Sequence, residues 1–453
     1  MSIIRCESQA GLKMKTRDPL KIAIADLPLT GRFRRVLRSL TLLVLIGASG
    51  NLAACRSVLQ SKASSPDLTT AIDRTASPIV ASAIDHSALL NESWNAYRQR
   101  FIQSDGRVID REATGRSTSE GQAYAMLRAV FANDPDSFAL TLKWSESNLQ
   151  RLGADKKPIN RLWTWQWGRD PSGKWGTLDN NFASDADIDA ITALILASRR
   201  WGRSEYLTLA KTKLVDLWES STIAANNQRY LLPGPISAFQ QGEVLTFNPS
   251  YLAPYAFRLF AQVDADRDWL SLVKSSYQVL EQSASLSAVG LPSDWVALNL
   301  KTGQYSRLDK SNAIVSRYGF DATRVWWRVS LDAALFNEPN AKRYLEKHLN
   351  YLKTLWQSQQ KIPAQLDLQG QPLVTYEATS QYGMLYAAFQ VVDPAIAQQI
   401  YQQKLVPNYQ NGFWDNDSAY YTQNLAWLGL LPPAKIAPYF SQSSKAAQTP
   451  SNP

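Results

Sequence analysis

Apolar residues return every three or four positions along most of the chain between residues 88 and 431. That spacing predicts helices near 88–102, 119–132, 137–151, 185–201, 204–219, 251–262, 268–280, 321–336, 341–356, 378–391, 394–402 and 418–431. In the fifth of these, Tyr206, Leu209, Ala210, Leu214 and Leu217 form one stripe, with Lys211, Lys213 and Asp216 off it. In the ninth, Tyr344, Leu345, Leu349, Leu352 and Trp356 do the same beside Lys342, Glu346 and Lys353. The segments 152–184, 220–250, 281–320 and 357–377 are dense in Gly, Pro, Asn and Asp and read as loops or short hairpins. The class is all-α. Six helical hairpins can close into a toroid, an (α/α)6 barrel whose long loops at one end form a cleft. An open solenoid is the alternative, but no motif repeats at a fixed period.

The two ends differ from this body. Arg32, Arg34, Arg35 and Arg38 precede the apolar run Leu40–Ala48, and Leu52-Ala53-Ala54-Cys55 follows. A basic stretch, a short apolar stretch and small residues before a cut make an export signal. The run is too short to span a bilayer. LAAC is similar to a bacterial lipobox, so residues 1–54 are expected to be removed and Cys55 lipidated, with Met14 a candidate start. Residues 55–85, rich in Ser, Ala and Thr, read as a tether to the membrane. Residues 86–432 form the globular domain, and 433–453 read as a disordered tail. The expected place is the cell envelope, on its periplasmic or outer side.

Composition narrows the chemistry. Net charge is +9, but 9 of the 48 basic and 3 of the 39 acidic residues fall within 1–54, so most of the excess lies in the leader. A nucleic-acid partner therefore loses its main support. The two histidines, His86 and His348, are far apart, and the two cysteines are Cys6 and Cys55. This argues against Cys/His zinc sites and His-dependent triads. No glycine-rich nucleotide loop is present, so no cofactor is indicated. Carboxylates and aromatics remain, including 15 Trp. Indole faces stack on sugar rings, and they also fill large cores.

Three acid-bearing stretches stand out. Glu120 lies in the first turn of the helix opened by Ser119-Glu120-Gly121-Gln122, where helix capping alone also favours an acid. Asp185, Asp187 and Asp189 alternate before an apolar helix, with 185 and 189 on one face and 187 elsewhere. Asp321 opens another, with Arg324 one turn on, flanked by Trp326 and Trp327. Trp163, Trp165 and Trp167 alternate in a loop that Trp175 follows. They suit either a sugar platform or a small core beneath the loop.

Seven segments in order, DGRVID, SEGQAYAM, LWTWQWG, NFASDADIDAITALILASRRWG, FNPSYLAPYAFRLFA, LPSDW and FDATRVWWR, resemble glycoside hydrolase family 8 across roughly residues 90–430. The family is bacterial and includes cellulases of cellulose-synthase operons. Its fold is an (α/α)6 barrel. The resemblance implies endo-acting, inverting hydrolysis of β-1,4 bonds in cellulose or a related β-glucan, without a metal or other cofactor. Glu120 is then the general acid, Asp321 the base, and Asp185 the acid that holds and distorts the sugar. Arg324 would orient the base or bind a hydroxyl. Trp165, Trp167 and, more weakly, Tyr251 would bind substrate. Phe320, where many members have Tyr, and the bulky Trp326–Trp327 pair put substrate preference in question. Cellulose-synthesis machinery is the implied partner beyond the polysaccharide and the membrane. A carbohydrate-binding lipoprotein on an inactive scaffold is the alternative. A lyase would want a His or Tyr base that this pattern does not place.

Overall fold

The computed structural model describes residues 85–311 and 314–441. The signal, Cys55 and nearly all of the tether lie outside them. No helix among the described residues is long and apolar enough to cross a membrane.

Helices alternate between an outer and an inner ring. The outer α1 (Ser87–Phe101) precedes the inner α2 (Ser119–Ala132), and the outer α3 (Pro135–Asn148) precedes the inner α4 (Ser184–Trp201). The outer α5 (Ser204–Ser221) and the single turn α6 (Ile236–Phe239) lead to the inner α7 (Pro254–Ala261). The outer α8 (Trp269–Ser285) leads to the inner α9 (Arg324–Phe336). A broken outer pair, α10 (Pro339–His348) and α11 (Asn350–Gln359), leads to the inner α12 (Thr379–Val392). The outer α13 (Pro394–Ile400) leads to the inner α14 (Tyr420–Leu430), and α15 (Pro433–Phe440) follows. Each inner helix packs on the next, and α14 returns to α2, closing the ring.

Burial follows the two rings. α2 is buried on every side from Ser119 to Val130, and α4 from Ser184 to Ala197. An outer helix such as α5 buries one stripe: Tyr206, Ala210, Leu214 and Leu217. Helix ends are set locally. Proline, which lacks the amide hydrogen that a first turn leaves unpaired, opens α3, α7, α10, α13 and α15. Thr118 caps α2 by accepting the Gly121 N–H at 3.0 Å.

Glycine lets α12 and α14 touch. A Cβ on Gly429 would stand 2.0 Å from the Gly383 carbonyl oxygen. Gly429→Ala is therefore expected to lower stability by about 1–3 kcal/mol, as overpacking does. Denaturant unfolding checks this, and an unchanged midpoint would refute it.

Several expectations change. The segment from residue 433, read as tail, begins with helix α15, which buries Ile436 and Phe440 against the barrel. The helix read as 341–356 is two helices with a break at Leu349. Lys213, placed off the α5 stripe, is fully buried and pairs with Glu146 at 2.8 Å. Trp326 and Trp327 are core residues rather than subsite walls. The Trp326 indole N–H donates to the Tyr318 hydroxyl at 3.0 Å. His86 and His348 are likewise buried, bonded to Tyr386 and to Gly290 with Glu281.

The loops between helices carry short antiparallel strands. Val244–Phe247 pairs with Val296–Asn299, with Phe247 opposite Val296. Asn248 and Asp294, just beyond that pairing, thus leave the sheet at the same end. Ser117–Thr118 pairs with Gln166–Arg169. That ties the start of α2 to the tryptophan loop.

Candidate active site

The inner helices all run the same way, so their first residues gather at one mouth of the barrel. Glu120 sits in the first turn of α2, Asp185 in that of α4, Arg324 begins α9 and Tyr420 begins α14. Asp321 lies in the tight turn that precedes α9, three residues later in onset than the periodicity predicts. The turn is held by Asp294, whose carboxylate accepts the N–H groups of Gly319 and Ala322 at 3.1 and 2.8 Å.

Arg324 joins the three acids. Its Nη1 donates to Glu120 at 2.9 Å and to Asp185 at 2.8 Å, and its Nη2 donates to Asp321 at 2.8 Å. The guanidinium lies over the Tyr251 ring, 5.3 Å from its centre. One turn deeper, Arg328 grips Asp189 with both terminal nitrogens and donates to the Tyr255 hydroxyl at 2.8 Å. Asp185/Asp189 and Arg324/Arg328 are each spaced by four on facing helices, so the two ion pairs stack as rungs. Asp187 faces the other way and accepts the Trp163 N–H at 3.2 Å.

The acids differ in their surroundings. Burial pushes Glu120 up to about 7; Asp185 and Asp321 add to this, while Arg324 and the Tyr420 hydroxyl oppose it. That hydroxyl donates to Glu120 at 3.1 Å. Burial also raises Asp321, with Arg324 opposing and Asp185 adding, and the Asn248 amide donating to it at 3.0 Å. Both carboxyls are thus raised by burial, and each accepts from Arg324 and one neutral donor, Tyr420 for Glu120 and Asn248 for Asp321. Such a pair can give a proton on one side of a bond and accept one on the other.

Trp165, Ala183 and Tyr251 form a small apolar group lining the same cleft as Glu120, Asp185, Asp321 and Arg324. The Trp165 indole N–H is buried and has no hydrogen-bond partner among the described residues. Trp163, 1% exposed, is in the core, its indole donating to Glu146 at 2.8 Å. Trp167 does not line this cleft. It stacks on Trp175 at 5.1 Å, stands edge-on to Trp144, and has the Arg107 guanidinium 4.7 Å from its centre. Trp175 itself is 43% exposed.

The structure brings Glu120, Asp185, Asp321, Arg324, Trp165 and Tyr251 together. The sequence reading missed Tyr420, Asn248 and Asp294 as members. LPSDW held the last, but nothing in its spacing tied it to a residue 27 positions on.

A closed ring of six helical hairpins, with three carboxylates gathered on one arginine and an apolar group beside them at its mouth, defines an (α/α)6 barrel. Residues 70–435 match the profile of glycosyl hydrolases family 8, and the chain belongs to that family. The match takes in residues 70–85, read above as tether. An endoglucanase of Xanthomonas axonopodis pv. citri (strain 306) is 36% identical over 257 residues, covering 56% of this chain and 62% of the relative. The alignment thus spans about three-fifths of that relative's length. The endo-1,4-D-glucanase of Vibrio fischeri ES114 superposes with a TM-score of 0.64 at 25% identity, covering 75% of this chain and 93% of that one. A family 8 endoglucanase of Klebsiella pneumoniae gives 0.60 at 26%, covering 74% and 97%.

Proposed function

We propose that this protein hydrolyses internal β-1,4 bonds of a glucan with inversion, and that it acts at the cell envelope, tethered through Cys55. The observation that carries the reading is that one arginine gathers Glu120 and Asp321 at the mouth of the barrel. Glu120, protonated up to about pH 7, gives its proton to the glycosidic oxygen as the bond breaks. Asp321 takes a proton from the water that attacks the opposite face of the sugar. Asp185 and Arg324 hold the sugar at the point of cleavage. The order of proton transfers sets the pH dependence. Activity falls at low pH as Asp321 is protonated and falls at high pH as Glu120 loses its proton, near 7.

The test uses the full chain on carboxymethylcellulose and cello-oligosaccharides. Viscosity is expected to drop faster than reducing ends appear, and NMR is expected to show the α-anomer first. First release of the β-anomer would refute the assignment of roles. Trp165→Ala is expected to raise KM several-fold with a smaller change in kcat, because the ring binds rather than reacts. Oligosaccharide kinetics check this, and an unchanged KM would remove Trp165 from the binding surface.

A further inference from the structure

The turn that presents Asp321 is held from behind by a carboxylate that does not enter the reaction. Asp294 is buried and directly precedes Trp295 at the end of the Val296–Asn299 strand. One oxygen accepts the N–H of Gly319 and that of Ala322, which bracket Asp321. The other accepts from Arg317 Nε at 3.3 Å. Gly319 permits this approach, since a Cβ there would stand 2.5 Å from an Asp294 oxygen. The Tyr421 hydroxyl also donates to the Phe320 carbonyl at 2.9 Å. The turn is therefore held at three backbone groups, two of them by Asp294.

We infer that Asp294 is a positioning residue for the general base, fixing the 319–322 turn so that the Asp321 carboxylate meets the attacking water. The inference rests on the hydrolase reading above. Geometry comes first, because a base displaced by a fraction of an ångström loses alignment with its water. Charge adds to it. Burial pushes Asp294 up to about 7, and the neighbouring Asp321 adds to the rise. The repulsion is mutual, so an ionised Asp294 makes Asp321 more basic. Arg317 and Tyr318 are the other charged or titratable groups about Asp294. Around Asp321 they are Arg324, Asp185, Glu120 and Tyr251.

The experiment compares the full chain with Asp294→Asn, Asp294→Ala, Asp321→Asn and the Asp294→Ala/Asp321→Asn pair on a soluble β-1,4-glucan. Asp294→Ala is expected to lower kcat about tenfold or more, with KM within about twofold. Asp294→Asn keeps an acceptor for the two N–H groups and loses the charge. It should retain more of kcat than Asp294→Ala, and since Asp294 already holds its proton below about 7, its acidic limb should stay in place. Because Asp294 acts through Asp321, the double variant should be no slower than Asp321→Asn alone. Should Asp294→Ala fail to fold, Gly319→Ala crowds the same carboxylate and should show the same loss of kcat at constant KM. Wild-type kcat in the folded variants, or losses that multiply with Asp321→Asn, would overturn the inference. A wild-type chain inert on every β-1,4-glycan tried would overturn the hydrolase reading and this inference with it, a result distinct from an active wild type with unimpaired variants.

Discussion

Glu120→Gln is expected to lower kcat on a soluble β-1,4-glucan by about 10²- to 10⁴-fold while the fold persists. The amide has the carboxyl's shape and can still accept from Tyr420, but it has no proton to give to a leaving sugar. The deficit should shrink on an aryl cello-oligoside whose phenol leaves without protonation. The basic limb of the pH profile, which reports loss of the Glu120 proton near 7, should disappear. Steady-state kinetics on both substrates decide the matter. An equal deficit on both would mean that Glu120 positions the sugar rather than donating the proton.

Arg324→Met carries the other large effect, because one side chain serves three acids. Removing it leaves Glu120, Asp185 and Asp321 buried together without their shared cation. Breaking a buried ion pair in this way costs about 3–5 kcal/mol. The sign of the pH dependence follows from linkage. Glu120 binds its proton up to about 7 in the folded chain and about 4.5 when unfolded, and loss of Arg324 raises the folded value further. Between those values the native state holds more protons than the unfolded chain, so stability falls as pH rises. The deficit of Arg324→Met should therefore grow as pH rises past about 7, where wild-type Glu120 gives up its proton and that of the variant does not. Activity should fall too, with its acidic limb moved upward because Asp321 becomes harder to ionise. Urea denaturation at several pH values checks the first statement, and a pH-independent deficit would contradict it.

The twelve periodic segments and the three acid-bearing helix starts were legible because each is a local pattern. The apolar runs of α2 and α4 announced burial, and Asp321 with Arg324 announced an ion pair three residues apart. What escaped was set by distance along the chain. Tyr420 reaches Glu120 across 300 positions, and Asn248 reaches Asp321 across 73. Lys213 looked like a solvated residue because its partner, Glu146, belongs to another helix. Trp163 and Trp165 stand two apart, which a continuous strand would put on one face, yet the strand ends at Trp163 and their side chains part. One goes to the core and the other to the cleft. The turn before α9 is held by Asp294, a residue that no helical pattern contains.

The ring closes at a seam where the last inner helix and α15 meet the first outer helix. There the Trp427 indole donates to the Leu90 carbonyl, Asn424 meets Tyr97, and Lys435 pairs with Asp85 at 3.3 Å. The described chain thus begins and ends at the same place, and the order of its hairpins along the sequence is separable from their order around the ring. A circular permutant, joined by a short linker from residue 441 to 85 and reopened in the exposed 301–304 turn, would keep every interface of the barrel. It would, however, no longer have to bring its two ends together last.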